Sequence, residues 1–339
     1  MTVSAEQTAS TDRSPKRRYA TFAIVVVLVL CAGWTAIWFY ARSVLSSEVD
    51  EVLRSRANGP AEIFCTDREI SGFPFAMALS CSKAGVTEHT RALTAELGGL
   101  KIGALAYSPR DVTADLQAPL NIAWQADASP LTADWSSGQA SVHLSDDGPG
   151  AISTAFDRLS ITTPLNGVAA DHTEFHARPA DNNRQTDMEW RADAATFSQQ
   201  AETSAPFTID GKARIDAPLA RLMDGAVGNG NVAIPDLDIR LTAGESHISA
   251  SGAITLLASG SAEGEIVVVT ENLPALAAFL QTLPADVRSR VQALVGGVIA
   301  LSKPATNEKG DPVSELTLTL RDNAIFAGTR QIAEFGPGS

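Results

Sequence analysis

The chain has 339 residues, 45% of them hydrophobic, and a net charge of −13 at neutral pH. A composition this apolar excludes a disordered chain. The acidic balance leaves no basic stripe to displace counterions from phosphates, which excludes nucleic acid as a partner. It also argues against adhesion to an anionic membrane surface, so the charge reads as what keeps a large domain soluble.

Residues 1–18 form a short tail in which Arg13, Lys16, Arg17 and Arg18 outweigh Glu6 and Asp12. Residues 19–41, from Tyr19 to Ala41, carry no charge, and Thr21 and Thr35 are the polar interruptions. About 20 such residues cross a bilayer as a helix. Tyr19 marks one interface; Trp34, Trp38 and Tyr40 cluster at the other, where amphipathic rings settle. The basic cluster precedes the span, which predicts a cytoplasmic N-terminus and a single pass through the inner membrane, with the bulk of the chain periplasmic. A cleaved signal peptide has a shorter apolar region of roughly 7–15 residues and a small-residue end, unlike this bulky aromatic one. A lipoprotein site at Cys31 conflicts with Leu30 before it and with its place mid-run.

Residues 42–59 read as a helical stalk stopped at Asn58-Gly59-Pro60. Two cysteines follow, Cys65 and Cys81, each eight residues from Phe73. Gly72, Phe73, Pro74 and Phe75 form a turn signal, since glycine reaches positive φ and proline fixes its own. A hairpin turning at Phe73 sets the cysteines directly opposite each other, and an oxidising compartment joins them as a disulfide. Beyond the turn, Met77, Leu79 and Cys81 alternate with Ala76, Ala78 and Ser80, the pattern of a strand.

Residues 60–339 read as one β-rich domain, with a sub-boundary expected near 200–206. Alternation is clearest in Val112, Ala114, Leu116, Ala118, Leu120, Ile122 and Trp124, with mostly polar residues between. Similar runs occupy 140–144, 188–192, 237–241, 248–250, 254–256, 266–268 and 316–320. Turn signals stand at Asp147 to Gly150, Asp210-Gly211, Asn229-Gly230, Gly260, Gly264 and Asn307 to Pro312. Two helices are expected late. One starts after Asn272 with Pro274 in its first turn. The other follows Pro284 with Val287, Val291, Leu294, Val295, Val298 and Leu301 on one face. The fold expected is therefore mainly β: a long antiparallel, curved sheet or sandwich with a small helical hairpin, preceded by one transmembrane helix.

Residues that carry chemistry are sparse. Of the five histidines, His172 and His176 cluster with Glu174, and an extended backbone puts all three on one face. A solvated polar strand face explains them as well as metal ligation does. Nucleophile elbow, metal-binding helix and phosphate-loop motifs are all missing. The expectation is a non-enzyme without cofactor or metal.

The basic N-terminus, the single span, Cys65-Thr-Asp-Arg-Glu-Ile-Ser-Gly-Phe-Pro-Phe75 closing at Cys81, and Ala106-Tyr107-Ser108-Pro109 leading to Ala118-Pro119-Leu120 resemble a bacterial, mainly alphaproteobacterial, envelope family known as domain of unknown function 2125. That resemblance carries no catalytic residues. Ser251 to Leu256, Gly264 to Val269 and Asn272-Leu273-Pro274 also look like the C-terminal pattern of AsmA-like envelope proteins. That second resemblance implies long curved sheets with an oily groove and a part in lipid transport or envelope assembly. Val112, Leu116, Leu120, Ile122 and Trp124 are the candidate apolar groove. The same face could instead pack on a second sheet, leaving a structural or protein-interaction module of the envelope with no lipid ligand. The partners expected are the inner membrane, then lipid or envelope proteins.

Overall fold

The computed structural model describes residues 15–334 except 57–58, 60, 90–91, 125–129, 147, 181–182, 224–229, 308–309 and 322; side chains at 15–21, 290, 293–294 and 297–299 also lie outside the description. The tail to residue 14, the Asn58 and Pro60 stop, the Asn229 turn, and the side chains of Leu294 and Val298 fall in those parts.

A single helix, α1 (Pro15–Arg56), holds both the uncharged run and the expected stalk without a break. Its most apolar window has a mean hydropathy of 2.4 and is almost wholly uncovered by protein, so it is long and apolar enough to cross a membrane. The hairpin that follows comprises β1 (Ala61–Thr66), β2 (Glu69–Ser71), β3 (Ala76–Cys81) and β4 (Lys83–Glu88). The strands β5 (Leu93–Leu105), β6 (Ser108–Trp124), β7 (Leu131–Asp134), β8 (Ser137–Ser145), β9 (Gly148–Thr162), β10 (Asn166–Pro179) and β11 (Thr186–Gln199) come next. After β12 (Glu202–Thr203) and β13 (Phe207–Ile215) comes a short helix, α2 (Leu219–Met223). The chain then forms β14 (Val232–Ala243), β15 (Ser246–Leu256) and β16 (Ala262–Glu271), the helices α3 (Leu273–Thr282) and α4 (Ala285–Leu301), and finally β17 (Lys303–Thr306), β18 (Pro312–Arg321), β19 (Ala324–Ala327) and β20 (Arg330–Glu334).

All these strands join one antiparallel sheet. Mostly each strand pairs with its sequence neighbour. The exceptions keep the order: β3 and β4 lie end to end along β5, and β7 and β8 both bridge β6 to β9. Pairing passes from β11 directly to β13, so the sheet crosses residues 200–206 without interruption.

Register partners share a face, and following them reveals a two-faced sheet. One row runs Met77, Ala104, Val112, Val142, Ile152, Ala177, Met188, Ala213, Leu237, Gly252, Ile266, Leu318, Ala327. It crosses thirteen strands without one polar side chain, a path of about 57 Å at the usual strand spacing. A parallel row on the same face runs from Leu79 through Ile102, Ala114, Ala140, Thr154, Phe175, Trp190, Gly211, Ile239, Ala250 and Val268 to Leu316, apolar except for Thr154. The opposite face carries Thr113, Ser141, Ser153, His176, Glu189, Lys212, Asp238 and Ser251 in register.

Residues of the first apolar row are half-buried or buried, while much of the polar face is exposed. Among the described residues no second sheet covers that face: the buried strand residues are mostly alanines, with few large apolar side chains among them. A sandwich core would bury leucines and valines throughout. A shielded face without a cover implies a sheet curved around it, and register shifts at Leu97/Gly99, Ala104/Leu105, Ala192/Ala195 and Ile234/Leu237 supply the bends.

The exception is the helical pair. Leu276, Leu280 and Leu283 form a buried cluster with Ile248 of β15 and Val287, Val291 and Val295 of α4. Asn272 caps α3 by accepting from the Ala275 N–H at 3.2 Å, with Pro274 in the first turn, as its sequence predicts. Because Ile248 lies two residues from Ala250, the pair sits on the apolar face, toward the C-terminal strands.

Two expected turns are corrected. Gly211 lies mid-strand in β13 opposite Trp190, and a Cβ there would collide with the Trp190 ring. Gly264 lies within β16 opposite Ile254, where a Cβ would meet the Ala253 carbonyl. Both glycines permit close approach rather than reversal. The turn signals at Gly260 and at Asn307 to Pro312 are turns.

Candidate functional site

The site is built where α1 meets the first hairpin. Trp34 and Trp38 lie one helical turn apart and so share a face of α1. The Trp34 indole N–H donates to the Pro74 carbonyl at 2.9 Å, and that of Trp38 donates to the Ala76 carbonyl at 3.1 Å. Phe73 packs edge-on to Trp38 at 5.3 Å and stacks near Phe39 at 6.5 Å. Further along the helix, Asp50 accepts from Arg68 at 2.6 Å. The guanidinium beside Asp50 holds its carboxyl below the usual range. Gly72 to Phe75 is thus the turn expected, and it is docked on the anchor.

Cys65 and Cys81 form a disulfide with Cα atoms 5.3 Å apart. They are not opposed in register, which corrects the expected geometry. Cys65 pairs with Ala84 and Ile70 with Leu79, so the hairpin is centred between Pro74 and Phe75 rather than on Phe73. The bridge forms at the break between β1 and β2, where Asp67 adopts φ 48°. Cys31 is a free thiol on α1.

Between α1 and the sheet lies an apolar cavity of about 470 Å³. Trp38, Ala41 and Leu45 form its helical wall; Met77, Leu79, Ile102, Ala104 and Val112 line the sheet side. Its volume is within the ~300–1,000 Å³ of small-molecule sites. Those five sheet residues are also where both apolar rows begin. The five candidate groove residues divide. Val112 lines the cavity and Leu116 pairs with Leu100. Leu120, Ile122 and Trp124 lie past the bulge at Leu97/Gly99 and pair with Leu97, Ala95 and Leu93. There a third apolar row forms: Ala84, Leu97, Leu120, Ala133, Ile161, Val168, Phe197.

The His172 cluster belongs to the polar face. His172 meets Asp157 through Nδ1 at 2.7 Å and Glu174 through Nε2 at 2.9 Å; His176 bonds Ser153 at 2.9 Å. The Glu174 and then the Asp157 hydrogen bond raise the His172 pKa, and the same histidines lower that of Glu174. Both His172 nitrogens are committed to carboxylates, and among the described residues no group of three or more side chains is placed to hold a metal.

Sequence reasoning missed the docking of Trp34 and Trp38 on the hairpin, although both stood out as interfacial aromatics. It also missed Trp135, buried against Phe156 at 5.1 Å with its indole N–H on the Leu116 carbonyl at 2.8 Å. Gly138 beneath that ring was the available signal.

These features define a class: a single-sheet β protein whose first hairpin is seated on one N-terminal helix fit to anchor it in a membrane. The family described as an uncharacterized protein conserved in bacteria, domain of unknown function 2125, matches residues 38–335, and the chain belongs to it. No curated protein and no solved structure matches the chain, so the AsmA-like resemblance gains no support.

Proposed function

We propose that this protein is a non-enzymatic, inner-membrane-anchored lipid-handling factor of the envelope, working on the periplasmic side with its N-terminus in the cytoplasm. One observation carries the reading. The apolar cavity opens beside the helix that can cross the membrane, and its floor continues as an unbroken apolar row across the sheet. An acyl chain in such a curved, dry face loses water contact at about 25 cal/mol per Å². The basic residues before the span and the disulfide beyond it favour this orientation. The alternative, a protein-interaction module of the envelope, draws on the exposed, charge-rich polar face.

The test is mass spectrometry of organic extracts from the purified full-length protein. Wild type should carry lipid, and Ile102→Asp, which charges the cavity floor, should lose most of it. Gln139→Asp on the polar face should behave as wild type. A wild-type protein that neither retains nor rebinds lipid overturns the reading in favour of the protein-interaction alternative.

A further inference from the structure

We infer that the Gly72–Phe75 turn, together with the adjacent loop at Leu105–Tyr107, is a wedge that inserts into the bilayer leaflet on the C-terminal side of α1. Three independent observations lead there. The first is depth. Trp34 lies eight residues before Arg42, the first charge after the uncharged run. That is about 12 Å along a helix axis. Because Trp34 donates to Pro74, the turn is held beside the last two turns of the apolar segment, below the level where charge resumes. If α1 spans a bilayer, this turn cannot stay outside it.

The second observation is surface chemistry. Phe73 is 51% exposed, Phe75 61%, Leu105 43% and Tyr107 77%. Four large apolar or aromatic side chains left bare on two neighbouring loops are costly in water. They suit the interfacial zone, where aromatic rings are enriched. The patch is continuous with α1, whose own side chains are bare at the same level. The leaflet is therefore the occupant that also covers the helix.

The third is the pairing of four carbonyls at the turn. A backbone polar group left unpaired in the bilayer costs several kcal/mol, so a turn that enters the leaflet needs such partners. In this turn the Gly72 carbonyl accepts from the Ala76 N–H at 2.8 Å, and the Phe75 carbonyl accepts from the Ala106 N–H at 2.8 Å, which ties the two loops together. The two indoles satisfy Pro74 and Ala76. Pro74 itself has no N–H to satisfy. An ordinary exposed turn would leave such carbonyls to water. The wedge would hold the sheet at a fixed attitude, with the mouth of the apolar cavity at the lipid surface. It depends on α1 spanning the membrane and not on lipid being carried.

The experiment uses full-length protein in phosphatidylethanolamine–phosphatidylglycerol nanodiscs, in a Cys31→Ala background with the disulfide intact. Nitroxide labels are placed one at a time through Phe75→Cys, Tyr107→Cys, Val27→Cys and Ser145→Cys, and collisions with oxygen and with a water-soluble nickel complex are compared. Labels at 75 and 107 should resemble that at 27, oxygen-accessible and nickel-protected, with the ratio reversed at 145. Labels at 75 and 107 that match 145 while 27 reads as lipid overturn the wedge and leave the anchor standing. A water-like reading at 27 overturns anchor and wedge together. Two labelled loops guard against one variant misfolding.

Discussion

At the scale of single residues, the polar face is held by cross-strand charge pairs whose titration has a definite sign. His172 gains two carboxylate partners on folding, which raises its folded pKa above the ordinary 6.5. Its contribution is complete below 6.5 and is lost as pH rises through the higher folded value. Glu174 is lowered from 4.5 by His172 and then His176. Its contribution is complete above 4.5 and is lost as pH falls through the lower folded value. Both are fully present between those limits. The groups are more than a third exposed, so solvent screening keeps the stability effect small. The titration itself is the better measurement. In Glu174→Gln the His172 midpoint, followed by NMR, should move down toward its ordinary value, and an unmoved midpoint would show that the Glu174 bond does not form. Gly211 illustrates a different residue-scale constraint. Its missing side chain is what lets the Trp190 indole lie flat on the apolar face.

At the scale of elements, helices bracket the apolar face. α1 flanks it at the first hairpin, and the α3–α4 pair packs on it further along. The pair is pinned from a distance: the Glu202 carboxylate accepts from the Ala285 N–H at 2.9 Å at the start of α4, and Thr282 accepts from the Ala205 N–H at 2.9 Å. Segment 200–206 therefore clamps the helices. Leu280→Ala removes the middle of their buried cluster and should cost about 2–5 kcal/mol. Hydrogen exchange of α3 should accelerate accordingly while that of β5 and β6 stays unchanged; equal acceleration throughout would mean that the helices and the sheet unfold as one unit. The pair itself was legible in sequence, because the Asn272 cap, Pro274 and the heptad-like valines are all local signals. Strand alternation was legible for the same reason. Gly211 and Gly264 were misread because a glycine marks either a reversal or a close approach, and only the partner strand distinguishes them. The indole bonds of Trp34 and Trp38 span roughly forty residues, and no local pattern encodes which carbonyl an indole will meet. The cysteine register failed similarly: symmetric spacing about Phe73 did not anticipate a turn centred between Pro74 and Phe75.

At the scale of the whole molecule, the question is whether the apolar face works as one path or as separate patches. Register argues for one path, since each step joins hydrogen-bonded partners and none of the first thirteen positions is polar. Phe175 stands five strand spacings from Leu79, about 24 Å from the cavity floor. A site that merely stored one acyl chain beside α1 would leave Phe175 without lipid. A conduit would not. Photocrosslinking amino acids placed at Phe175 and Ile239 in cell membranes, with Arg191 on the polar face as reference, separate these cases. The conduit predicts lipid adducts at 175 and 239 and none at 191. Adducts confined to a probe at Leu79 would reduce the function to local lipid binding. Protein adducts at 175 and 239 would mean that the curved face receives another polypeptide, and the apolar row would then be an assembly surface rather than a lipid path.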